Sequence, residues 1–64
     1  MERGDFKYVL GERVNIRASH EHGEVVARAE YQASENSYLL RYEAADGRAV
    51  EQWWGESALR ADDE

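Results

Sequence analysis

Hydrophobic and polar positions alternate in short runs along this chain, the period of extended strands whose successive side chains point to opposite faces. Over residues 11–17, a glycine turn at Gly11 is followed by Val14 and Ile16 standing against Arg13, Asn15 and Arg17, which predicts a half-buried first strand. Over 24–31, Val25, Ala27, Ala29 and Tyr31 alternate with Glu24, Val26, Arg28 and Glu30; the first set is expected inward, its alanines suiting a narrow, tightly curved interior. Over 37–43, Tyr38, Leu40 and Tyr42 share one face, and Leu39 and Arg41 the other. A fourth strand runs through Arg48-Ala49-Val50-Glu51-Gln52-Trp53-Trp54. Because Trp53 and Trp54 are adjacent, they cannot both enter one core, and one is left for a partner.

Between these runs lie turn signals. Ala18 to Gly23 is small and polar and reads as a loop ending in a glycine able to take positive φ, and Gln32 to Asn36 is a polar connection. Asp46-Gly47 is a strong hairpin signal and pairs the third strand with the tryptophan strand. Gly55 to Leu59 is expected as a single turn of 3₁₀ helix, followed by a short closing strand over 59–61. Phe6 to Leu10 alternates briefly, as an arm packed over one end. The expected fold is all-β: a small SH3-like barrel of four to five short antiparallel strands, with a 3₁₀ turn before the last. Residues 1–10 form the N-terminal arm, 11–61 the barrel and 62–64 an acidic tail.

Length sharpens this picture. A chain of 64 residues builds one domain with a marginal core, a size at which association often supplies missing burial. With no cysteine, neither disulfides nor thiolate zinc sites supply it, and a cytoplasmic protein is expected. No apolar run approaches the ~20 residues that span a bilayer. The net charge of −6 disfavours sequence-independent binding to nucleic acid, which depends on cations that displace counterions from phosphates. The arginines are scattered among acids, so a mixed, solvated surface is expected; the sharper alternative is a negative face that engages a basic protein or mimics nucleic acid.

Candidate chemistry is sparse. His20 and His22 flank one carboxylate but lack a third well-spaced ligand, so no metal is expected. No serine-histidine-acid set or phosphate-cradling glycine loop is visible, and the carboxylates are dispersed. The aromatics are more informative. Tyr31, Tyr38, Tyr42, Trp53 and Trp54 are assigned to three neighbouring strands, and about three of them are needed inside, leaving two exposed. Tryptophan beside Gln52 and Arg41 has the make-up of an interface hot spot, so the expected protein-binding set is Trp53, Trp54, Gln52, Tyr38, Tyr42 and Arg41. A rival use of the same rings is a cage that reads cationic peptides.

Gly11-Glu12-Arg13-Val14, Gly23-Glu24-Val25-Val26, Tyr38, Gly47 and Ser57-Ala58-Leu59 together resemble the SH3-like barrel of the plasmid-borne, trimethoprim-insensitive type II dihydrofolate reductases, over residues 11–59. That resemblance implies a homotetramer whose central pore binds NADPH and dihydrofolate through a Gln-Ile-Tyr segment and a lysine near the first strand. The segment falls on Gln52-Trp53-Trp54, retaining the glutamine, and the lysine falls on Ile16 with Arg17 adjacent. The implied cofactor-binding set is therefore Gln52, Trp53, Trp54 and Arg17. Exchanging isoleucine for tryptophan and lysine for isoleucine fills space and removes a cation from a pore that must hold two anions. The reading carried forward is a non-catalytic, self-associating protein-interaction module. Its expected setting is as an accessory or host-factor-inhibiting protein of a phage or other mobile element, with the NADPH-dependent reductase as the alternative.

Overall fold

A computed structural model describes residues 6–62. Five antiparallel strands, β1 (Arg13–Ile16), β2 (His22–Ala29), β3 (Ser37–Glu43), β4 (Ala49–Gly55) and β5 (Leu59–Ala61), form one sheet in the order β4-β3-β2-β1-β5. A single 3₁₀ turn, Glu56–Ala58, precedes β5, so the expected all-β class and the place of that turn are both observed. Among the described residues no helix is long and apolar enough to cross a membrane.

The interior is built from Tyr8, Val14, Ile16, Val25, Tyr38, Leu40 and Leu59, with Phe6, Tyr42, Trp54 and Ala61 packed against it. The register explains the choice, because directly opposed residues share a face: Ile16 meets Leu59, Val25 meets Leu40, and Tyr38 meets Trp54. The segment before β1 contributes more than a cover. Tyr8 is buried and meets Tyr38 edge-on at 5.2 Å, and Phe6 meets the same ring at 6.0 Å. Hydrogen bonds from Gly11 N–H to Val25 O (2.7 Å) and from Val25 N–H to Glu12 O (2.9 Å) tie this segment to β2. Residues 1–5 of the expected arm and residues 63–64 of the expected tail lie outside the described residues.

Tyr38 is fully buried, and a phenol there needs partners for its polar tip. It donates to the Glu56 carboxylate and accepts from the Lys7 N–H at 3.0 Å. Burial, reinforced by that carboxylate, pushes the hydroxyl up to about 12.

Several expectations are corrected. β1 follows the expected turn at Gly11 (φ 89°) but ends at Ile16 rather than Arg17, and β2 spans His22–Ala29 rather than 24–31, leaving Tyr31 beyond its end. Gly23 is not a loop glycine: it lies in β2, where a Cβ would sit 3.2 Å from that of Leu40, a tighter contact than side chains ordinarily make. The left-handed turn residue is instead His20 (φ 64°), whose N–H closes the loop on Ile16 O at 2.7 Å. Nor does the inward alternation of β2 persist. The register slips between Val25 and Ala27, a bulge at Val26 that reverses the faces beyond it. Arg28 therefore opposes buried Tyr38, with its guanidinium over the Phe6 ring at 4.3 Å, while Ala27 and Ala29 join the opposite face.

The β3–β4 hairpin follows its sequence signal: Gly47 N–H bonds Ala44 O at 2.9 Å, and Gly47 takes φ 88°. Gly47→Val places a β-branched residue in that conformation and is expected to cost about 1–2 kcal/mol, read as a lower melting temperature. Tyr38 supplies a second test. Its folded value lies above its ordinary value of 10.0, so the unfolded chain ionises first and the stability it contributes is lost as pH rises from about 10 to about 12. Denaturation midpoints for Tyr38→Phe should fall less steeply across that window than those of the wild type.

Candidate functional site

Strand β4 sits at one edge of the sheet and pairs with β3 along its whole length, from Ser37 opposite Gly55 to Glu43 opposite Ala49. This ladder divides the expected protein-binding residues between two faces. Tyr38, Tyr42, Gln52 and Trp54 stand on the core side; Arg41 and Trp53 stand on the other. Tyr38 is buried, Trp54 is half-buried against the core, and its indole N–H has no acceptor among the described residues. Tyr42 and Gln52 lie nearer the hairpin, where the Tyr42 hydroxyl approaches Gln52 Oε1 at 3.4 Å.

On the outer face the register builds a continuous apolar row across three strands: Ala27 opposes Leu39, and Leu39 opposes Trp53. Trp53 is 47% exposed. One flanking row is ionic, Glu24, Arg41 and Glu51, with Arg41 gripping Glu51 Oε2 through Nε at 2.9 Å and Nη2 at 2.8 Å. The other is small, Ala29, Ser37 and Gly55. There the Glu35 carboxylate fills the space that a Cβ on Gly55 would need, accepting from the Ser57 N–H at 2.8 Å and the Ser57 hydroxyl at 3.0 Å. Trp53 is thus flanked by the Arg41–Glu51 ion pair on one side and by the Glu35-covered row on the other, with about half of its surface open to solvent.

The aromatic set does not converge. Of the five rings, Tyr31 and Trp53 are exposed, while the edge-on contacts among the described residues join Tyr38 to Phe6 and Tyr8 inside the core. The residues carried over from the reductase resemblance are similarly divided. Ile16, at the lysine position, is fully buried, Arg17 is exposed beside β5, and Gln52 and Trp53 face opposite ways on β4. His22 lies in β2 with its imidazole against the Asp62 carboxylate, whereas His20 sits in the turn before it. No cluster of metal-ligating side chains occurs among the described residues.

Leu39 and Ala27 are the neighbours of Trp53 in this row that sequence reasoning left out of the candidate site. The doublet Leu39-Leu40, which breaks the polar-out pattern of β3, was a readable signal for the first; the bulge hid the second. The two tryptophans should separate on truncation. Trp54→Ala removes a ring packed on the core and is expected to cost ~3 kcal/mol. Trp53→Ala is expected to stay within about 0.5 kcal/mol of the wild type, both read from urea unfolding curves.

Comparison of the chain with protein-family models, with curated proteins and with solved structures finds no match.

Proposed function

We propose that this chain is a non-catalytic protein-interaction module that associates with a second copy of itself through β4 and the outer face beside it. The observation that carries this reading is Trp53, 47% exposed on an edge strand at the end of the Ala27-Leu39-Trp53 row. An exposed edge strand presents unpaired backbone groups, and a large aromatic beside it supplies apolar area at low entropic cost. Two-fold pairing of β4 with its counterpart would make both tryptophans part of one self-complementary patch. As part of the same proposal, the module works by contact, as an accessory or host-factor-inhibiting protein of a mobile element; that wider role rests on the sequence resemblance alone.

Sedimentation velocity over a concentration series, with and without NADPH, tests the proposal. The wild type should sediment as a dimer or larger species, Trp53→Ala as a monomer with an unchanged unfolding curve, and NADPH should stay behind the protein boundary. A wild type that remains monomeric at every concentration, or a variant that associates as well as its parent, overturns it. NADPH travelling with a tetramer would replace it by the reductase reading.

A further inference from the structure

The opposite edge of the sheet carries a different chemistry. Arg17, His20 and Arg60 line a cavity of about 180 Å³ at the β1–β5 end of the domain, and no residue of β4 lines it. Each lining group is placed by backbone structure. Asn15 pairs with Arg60 across the β1–β5 ladder, so their side chains stand on one face. Arg17 N–H bonds Ala58 O at 3.0 Å, and its Nε bonds Leu59 O at 3.2 Å, which pins the guanidinium beside β5 while leaving both Nη groups for other acceptors. His20 is held by the left-handed turn described for its N–H.

In a chain of net charge −6 this grouping stands out. Arg41 holds Glu51, Arg48 holds Asp46, and Arg28 lies over Phe6. Arg17 and Arg60 hold no carboxylate among the described residues, and they meet at the same cavity. Beside them Asn15 is only 6% exposed, and its Oδ1 has no hydrogen-bond partner among the described residues. A buried amide without a partner is costly unless a ligand or water satisfies it, and a half-turn of the amide presents its NH₂ in place of the oxygen.

We propose that this cavity binds a phosphate group, free or as a monoester. The donor count selects it: four N–H groups remain on Arg17, five on Arg60, and the His20 ring adds at least one when protonated or in the matching tautomer. This exceeds what the two oxygens of a carboxylate can accept, whereas the terminal oxygens of a phosphate take two guanidinium forks and a third donor together. The site is independent of the proposed β4 interface.

Two-dimensional ¹H–¹⁵N NMR of the wild type, including arginine Nε–H signals, titrated with inorganic phosphate at ionic strength fixed by sodium chloride, tests this. Shifts should saturate and centre on Arg17, His20, Arg60 and the Asn15 amide. Arg60→Gln should weaken binding about tenfold, while Arg48→Gln, in the distant hairpin, should match the wild type. Should Arg60→Gln fail to fold, His20→Asn keeps a residue that tolerates positive φ and should weaken binding in the same sense. A nucleoside monophosphate that saturates at lower concentration than phosphate identifies an ester as the ligand; equal affinity identifies free phosphate. Shifts that never saturate, acetate binding as tightly as phosphate, or a folded variant that binds undiminished each overturn the proposal.

Discussion

Tyr38 is the contact on which the domain turns. Its ring receives Phe6 and Tyr8 edge-on, faces Arg28 on β2 and Trp54 on β4, and sends its hydroxyl to Glu56 in the 3₁₀ turn and the backbone of Lys7. One side chain thus joins the N-terminal segment, three strands and the turn that launches β5. A leucine in its place would fill much of the volume but could not satisfy Glu56, whose carboxylate is positioned to receive that hydroxyl. The rest of the core is aliphatic and small, so the aromatic cluster around Tyr38 supplies much of the specific geometry in a chain of this length.

Packing around that tyrosine decides what the surface can offer. Because Tyr38 draws Trp54 inward across the β3–β4 ladder, Trp53 must point outward, and because the Val26 bulge turns Arg28 toward Tyr38, Ala27 must turn away from it. The exposed row Ala27-Leu39-Trp53 is the counterpart of the core arrangement, not an independent feature. The ionic Glu24-Arg41-Glu51 row beside it marks where the apolar surface ends. Surface pairs of this kind add little stability but shape which partners fit.

The two edges of the sheet divide the chemistry between them. β4 presents an aromatic and a balanced ion pair; the β1–β5 end presents cations that hold no carboxylate among the described residues, around a cavity. The two edge strands are nonetheless consecutive in the chain, joined by a single 3₁₀ turn. That turn is held from both sides, by Glu35 on Ser57 and by Glu56 on Tyr38, which fixes where β5 starts and therefore where Arg60 stands.

From residues alone an all-β chain of four to five strands, the β3 boundaries, the Asp46-Gly47 hairpin, the 3₁₀ turn and the closing strand at 59–61 were legible, because alternation and turn chemistry are local properties. The exclusion of one tryptophan from the core was legible too, since it follows from the two-residue period of any strand. Which tryptophan it is, however, depends on its partner across the ladder, and Tyr38 opposite Trp54 is a tertiary fact. The β2 faces were misread for a related reason: a bulge inserts one residue without altering local composition, so nothing in Val25-Val26-Ala27 announces it. His20 taking the left-handed position, with Gly23 packed under Leu40, was equally invisible, because loop closure and strand packing are settled by neighbours distant in sequence. The meeting of Arg17, His20 and Arg60 required the β1–β5 pairing, which joins residues that no local pattern connects.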